Sequence, residues 1–106
     1  MKRAMISQPM RGKSTEQIRA ERADAVKMLE SQGYDVIDTV FDGFETGSTF
    51  DSVCKNTPLM YLSRSLLAIS AVDYVYFMVG WEDARGCRIE HQCCVDYEVP
   101  YGEASS

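Results

Sequence analysis

Glu90 is the residue whose type and place offer the most chemistry. It lies in the stretch VYFMVGWEDARGCRIEH, residues 75–91, which reads as a buried strand ending at Gly80, a polar loop, and a helix opening near Arg85. Glu90 then falls within about two turns of the helix start. In an open α/β sheet, ligands bind at the carboxyl ends of strands, where loops turn into helices. Trp81, Asp83, Arg85, Gly86 and Glu90 are therefore expected around one ligand site. A carboxylate buried beside a substrate attacks an anomeric carbon and holds a covalent glycosyl intermediate. The competing reading is a solvent-facing helix glutamate paired with Arg88 or Arg85. Asp83 is an acid–base partner or simply a loop charge, as is Glu82. Trp81 stacks on a ligand base or covers the edge of the core.

A second group follows the first apolar run: Ser7, Gln8, Pro9, Met10, Arg11, Gly12 and Lys13. It precedes another helix start, where free N–H groups and the helix dipole favour anions. With Arg11 and Lys13 adding positive charge, a phosphate or carboxylate on the ligand suits this loop. The alternative is that both cations are solvated surface residues. Cys87, His91 and Cys94 share roughly one helix face, so zinc has to be weighed. No CxxC pair is present, and a fourth ligand would have to come from Cys54 or an acid. Small buried apolar thiols are the preferred reading, and no metal or other cofactor is expected.

The elements that must position these residues follow from pattern. Residues 4–6 are a short apolar strand. Ser14 and Gln17 form a capping-box signature, and a helix is expected from about Thr15 to Ser31. Ile18, Ala25 and Leu29, with Val26, form its apolar stripe, and Glu16, Arg19, Arg22 and Lys27 face solvent. Gly33 suits the position after the helix. Residues 34–40 read as a second strand, completing a strand–helix–strand unit. Residues 41–58 mix glycines with Phe41, Phe44 and Phe50 and read either as a lid or as a surface loop pinned by its aromatics. Pro58 suits a first helical turn. Leu59, Leu62, Leu66 and Ile69, with Leu67, carry that helix to about Ser70. The third strand, residues 74–79, is apolar on both faces, as the middle of a parallel sheet requires. The last helix spans about residues 84–97, residues 99–101 form a short fourth strand, and residues 102–106 read as a frayed end. Alternating strands and helices predict a small three-layer α/β sandwich.

Composition narrows the functions. With 106 residues the chain is long enough for one domain, residues 1–106, and not for two. The net charge of −5 and the scattered eleven Lys and Arg argue against binding a nucleic acid polymer, though not a single nucleotide. No signal peptide is visible, and no apolar run approaches the roughly 20 residues that span a bilayer. A cytoplasmic protein with free thiols, without a membrane partner, is the expectation.

The segments ISQPMRGK, GYDVIDT and AVDYVYFMVGWEDARGCRIEH together resemble a family of small bacterial and phage proteins. That family is related to nucleoside 2-deoxyribosyltransferases and to nucleotide N-glycosidases such as the deoxynucleoside monophosphate hydrolases. The resemblance to the small-protein family covers nearly the whole chain. The resemblance to the enzymes rests on element order, the first loop, an aspartate before the third strand and a Gly-x-x-x-Glu on the last helix. It implies a flavodoxin-like fold with parallel strand order 2-1-3-4. It also implies cleavage of a base–sugar bond in a nucleoside or nucleotide, and a homo-oligomer. By position Glu90 matches the nucleophile, Gly86 the glycine before it, and Met10-Arg11-Gly12 the loop that approaches sugar and phosphate. The chain departs from the enzymes at three places. Ser65 stands eight residues before Asp73, where they carry a pocket aspartate. Gln92 replaces a glycine, and Trp81-Glu82-Asp83 replaces smaller polar residues. Ser65 favours the rival expectation, a protein that binds a nucleotide-derived ligand without turning it over.

Overall fold

A computed structural model of the chain describes residues 1–37 and 55–104. The strands are β1 (Lys2–Ser7), β2 (Tyr34–Ile37), β3 (Tyr74–Phe77) and β4 (Tyr101–Glu103); the helices are α1 (Thr15–Ser31), α2 (Thr57–Ile69) and α3 (Arg85–Asp96). The sheet has four strands in the order β2-β1-β3-β4, and each neighbouring pair is parallel. This is a flavodoxin-like α/β fold.

Side chains on successive strand residues alternate between the faces of the sheet, and the core divides accordingly. Ala4 and Ile6 pack with Ala25 and Leu29 of α1 on one face. Met5, Val75 and Phe77 pack with Ala68 and Ile69 of α2 and Cys94 of α3 on the other. The three layers are thus α1, the sheet, and α2 with α3. Register between β1 and β3 is pinned just before β3 begins. Arg3 N donates to Asp73 Oδ2 at 2.8 Å, and Asp73 N donates to Arg3 O at 2.8 Å.

Helix α1 starts where Ser14 Oγ accepts from Gln17 N at 3.1 Å, and Gly33, at φ +93°, takes the left-handed position after its end. Asn56 caps α2 through Leu59 N, with Pro58 in its first turn.

Four expectations from sequence are corrected. Arg22 does not face solvent: it is 3% exposed and donates from Nη1 to Gln8 Oε1 at 3.2 Å. It occupies the same row as Ile18, Ala25 and Leu29, so α1's buried stripe contains a cation. Leu59 and Leu67 are exposed, and Ala68 with Ile69 carries the buried side of α2. β4 begins at Tyr101 rather than Val99 and continues through Glu103. Residues 102–104 are therefore not frayed, and Ala104 N donates to Phe77 O at 2.8 Å. The expected lid falls mostly on residues 41–54, outside the described residues, as does the end of the expected second strand. Among the described residues, no helix is long and apolar enough to cross a membrane.

Candidate functional site

Helix α3 buries one stripe, Cys87, Glu90 and Cys94, against the sheet. The spacing of three and then four residues is that of a single helix face, so the packing that buries the two thiols also buries the carboxyl between them. Glu90 is 8% exposed. The alternative of a solvent-facing glutamate paired with arginine is overturned; Arg88 instead donates from Nη1 to Glu82 O at 3.1 Å.

Burial raises the Glu90 pKa to about 7, because a carboxylate loses its hydration there, while the hydroxyls of Ser7 and Ser65 beside it draw the value back down. Ser7 is the last residue of β1, at the carboxyl edge of the sheet. It is 2% exposed, and among the described residues its Oγ has no partner in hydrogen-bond geometry. Its hydroxyl thus lies close enough to favour a charged Glu90 while remaining free to turn toward a ligand. Ser65, on α2, is half-buried. The Cys87 thiol is pushed up to about 11, chiefly by burial and also by Glu90, with Ser7 opposing. Burial, with Cys93 and Glu90, also raises Cys94 to about 11. At neutral pH both are protonated thiols, which are poor nucleophiles. Among the described residues no three His, Cys, Asp or Glu side chains are grouped to hold a metal ion.

The two expected loops do meet. Met78 N donates to Ser7 O at 3.0 Å, and Pro9 Cγ lies 3.7 Å from where a Cβ on Gly80 would stand. Gly80 has φ +92°, which a side chain would strain. It leads into a short 3-10 turn, Trp81–Asp83, that runs on to α3.

The site residues expected from sequence separate into those near Glu90 and those held elsewhere. Ser7 is beside Glu90. Gly86 is in the first turn of α3, and a Cβ added there would meet nothing within 4 Å, so the helix start faces open space. Gln8 is committed to α1: its Nε2 donates to Ile18 O at 2.9 Å and its Oε1 accepts from Arg22. Pro9 and Met10 are half-buried, and Arg11 and Gly12 are exposed at the loop tip, with Gly12 at φ +80°. Lys13 is held by Glu21 at 2.8 Å, and that contact lowers the glutamate's pKa. Asp83 and Arg85 are exposed. Trp81 packs against the core and stacks on His91 with ring centroids 4.0 Å apart and planes 10° apart.

The sequence offers His91 only as a possible zinc ligand beside Cys87 and Cys94, whereas the structure gives it other partners. Its Nε2 lies 2.7 Å from Glu103 Oε2, and Phe77 and Tyr101 meet its ring edge-on. The available signal was its position four residues after Cys87. Its partner was hidden because residue 103 was read as frayed. The chain matches no protein-family model, no curated protein and no solved structure in comparisons with known proteins.

Proposed function

We propose that the protein processes a nucleoside or nucleotide, breaking its base–sugar bond through Glu90 as an N-glycosidase or deoxyribosyltransferase. The observation that carries this reading is a carboxyl buried at the carboxyl edge of a parallel sheet, with its pKa raised to about 7 and hydroxyls beside it. Strongly perturbed acids in such places are candidate functional groups. The resemblance set out above supports the same residue. In this chemistry a Glu90 carboxylate oxygen bonds to C1′ as the N-glycosidic bond breaks, and the bonding pair leaves with the base. Water then attacks C1′ and releases the sugar, or a second base does so and completes a transfer. The nucleophile has to be ionised. Positive charge developing at the sugar favours that form just as burial opposes it, so the carboxylate is stabilised most where the reaction needs it. The hydroxyls of Ser7 and Ser65 lie beside the carboxyl and favour its ionised form, and the open approach at Gly86 leaves room beside the helix start. Arg11 and Gly12 offer a contact to phosphate or sugar, and Asp83, exposed in the turn, is the acid–base candidate. The homo-oligomer implied by the resemblance belongs to the same reading.

A second reading is ligand binding without turnover. It is favoured by Ser65, a hydroxyl beside Glu90 where the resemblance calls for a carboxylate. The experiment is a chromatographic assay of base release from a panel of deoxy- and ribonucleosides and their monophosphates. Wild type is expected to release base and Glu90→Gln to release none. Release undiminished in the variant refutes the role of Glu90. Tight binding of a panel member with no release by wild type selects the second reading.

A further inference from the structure

The turn at the edge of the Glu90 site is tied to the last strand of the sheet through one side chain. His91 leaves α3 on the side facing β4. One face of its ring is covered by Trp81, at 4.0 Å and nearly parallel, while Phe77 at 4.9 Å and Tyr101 at 4.6 Å meet it edge-on. Its Nε2 lies 2.7 Å from Glu103 Oε2. A carboxylate can only accept, so Nε2 carries the hydrogen. β4 itself is fixed to β3 by Val75 N donating to Pro100 O at 3.0 Å and Ala104 N donating to Phe77 O at 2.8 Å. On the other side of the ring, Trp81 opens the turn that runs into α3, where Trp81 O accepts from Ala84 N at 3.1 Å.

We propose that His91 is a positioning residue: through Glu103 and Trp81 it couples the seating of β4 to the placement of the turn bordering the Glu90 site. The three ring contacts restrict the imidazole by packing but give it no directional bond. Glu103 fixes the ring plane, and the fixed plane is what Trp81 lies against. Without the carboxylate, the Trp81 turn keeps its backbone hydrogen bonds to Met78 O and Gly80 O, the Arg88 contact to Glu82 O and its packing, but loses the tie to β4 and opens more often. This coupling does not depend on which reaction, if any, Glu90 carries out.

Trp81 is the sole tryptophan of the chain, so its fluorescence reports the turn directly. The measurement is acrylamide quenching of Trp81 in wild type, Glu103→Ala, Glu103→Gln, His91→Phe and the His91→Phe/Glu103→Ala double variant. Far-UV circular dichroism confirms the fold of each. Glu103 is 45% exposed at its side chain, so its replacement leaves the core intact. In Glu103→Ala the quencher-accessible population is expected to rise about two- to fivefold, the scale of one exposed charge-assisted contact. Glu103→Gln, which keeps an acceptor, is expected to restore most of the protection. Phe in place of His91 keeps a stacking ring but removes the Nε2 contact, so Glu103→Ala on that background is expected to add nothing. Protection unchanged in folded Glu103→Ala overturns the proposal. So does a Glu103→Ala effect that persists in full on the His91→Phe background, because the carboxylate would then act by another route. If His91→Phe does not fold, the Ala and Gln pair at residue 103 decides alone: equal accessibility in the two refutes the coupling.

Discussion

Replacing Glu90 by Gln should change not only activity but also how stability depends on pH. The ordinary glutamate value of 4.5 applies to the unfolded chain, and burial raises the folded value to about 7. Between these values the unfolded state has released the proton and the folded state still holds it. Stability associated with this group is therefore fully present below about pH 4.5 and is lost as pH rises through about 7. Each unit of separation is worth about 1.4 kcal/mol, so wild type loses ~3 kcal/mol from this group over the window. Glu90→Gln keeps the shape and an amide that can bond to the same hydroxyls, but it has no proton to release. The assay is urea unfolding of both proteins from about pH 5 to about pH 8, with the difference in stability plotted against pH so that shared titrations cancel. The variant is expected to gain on wild type by about 2–3 kcal/mol across the series, since part of the loss already lies below pH 5. A difference that does not vary with pH refutes the reasoning, since it would mean that Glu90 titrates alike in both states. If Glu90 acts as an ionised nucleophile, turnover rises through the same pH range in which stability falls, so the site works best where it costs the fold most.

Three further outcomes follow from the packing. A methyl on Gly102 would overlap the Tyr74 hydroxyl, so Gly102→Ala should lower stability by about 1–3 kcal/mol, and adding Tyr74→Phe should recover much of it in chemical denaturation. Cys87 and Cys94, buried and held near 11, should resist a thiol reagent in the native protein at about pH 8 and react once urea unfolds it, as peptide mapping by mass spectrometry would show. Gln8→Leu removes the acceptor for Arg22 and the donor to Ile18 O, and should cost about 1–3 kcal/mol in the same unfolding assay.

Much of the fold was legible because its signals are local. Ser14, Gln17 and Gly33 mark the ends of α1, and the predicted span is the observed one. The strand–helix alternation was enough to specify three layers. β4 was misplaced because the sequence shows β-branched Val99, whereas pairing depends on where the backbone lines up with β3. Glu98 at φ 57° and the partly packed Val99 belong to the approach from α3, and hydrogen bonding begins with Pro100 O. Arg22 was misread because charge was taken as exposure. Its spacing from Ile18 and Ala25 pointed inward, and a buried partner, Gln8, was not visible without the sheet. At the site, Glu90's burial could have been read from its sharing a face with Cys87 and Cys94. Its nearness to Ser7 could not, since that depends on how α3 lies across β1 and β3. The contact between His91 and Glu103 was unreadable for a similar reason: it depends on a three-residue strand whose existence tertiary pairing decides.

The strand order also bears on how the chain assembles. β1 is internal in the finished sheet, yet its two edges are filled from very different distances along the chain. One is met by β2, beginning at Tyr34, across a single helix. The other waits for Asp73 to close its pair of bonds with Arg3, 70 residues away in sequence. Any partly folded chain in which only β1, α1 and β2 have come together would carry β1 as an exposed edge, with Met5 and Ile6 beside unpaired N–H and C=O groups. That is the arrangement through which strands of separate molecules join. The Arg3–Asp73 closure is therefore a safeguard as well as a register pin: the faster it forms, the shorter the time in which two half-folded chains can find one another.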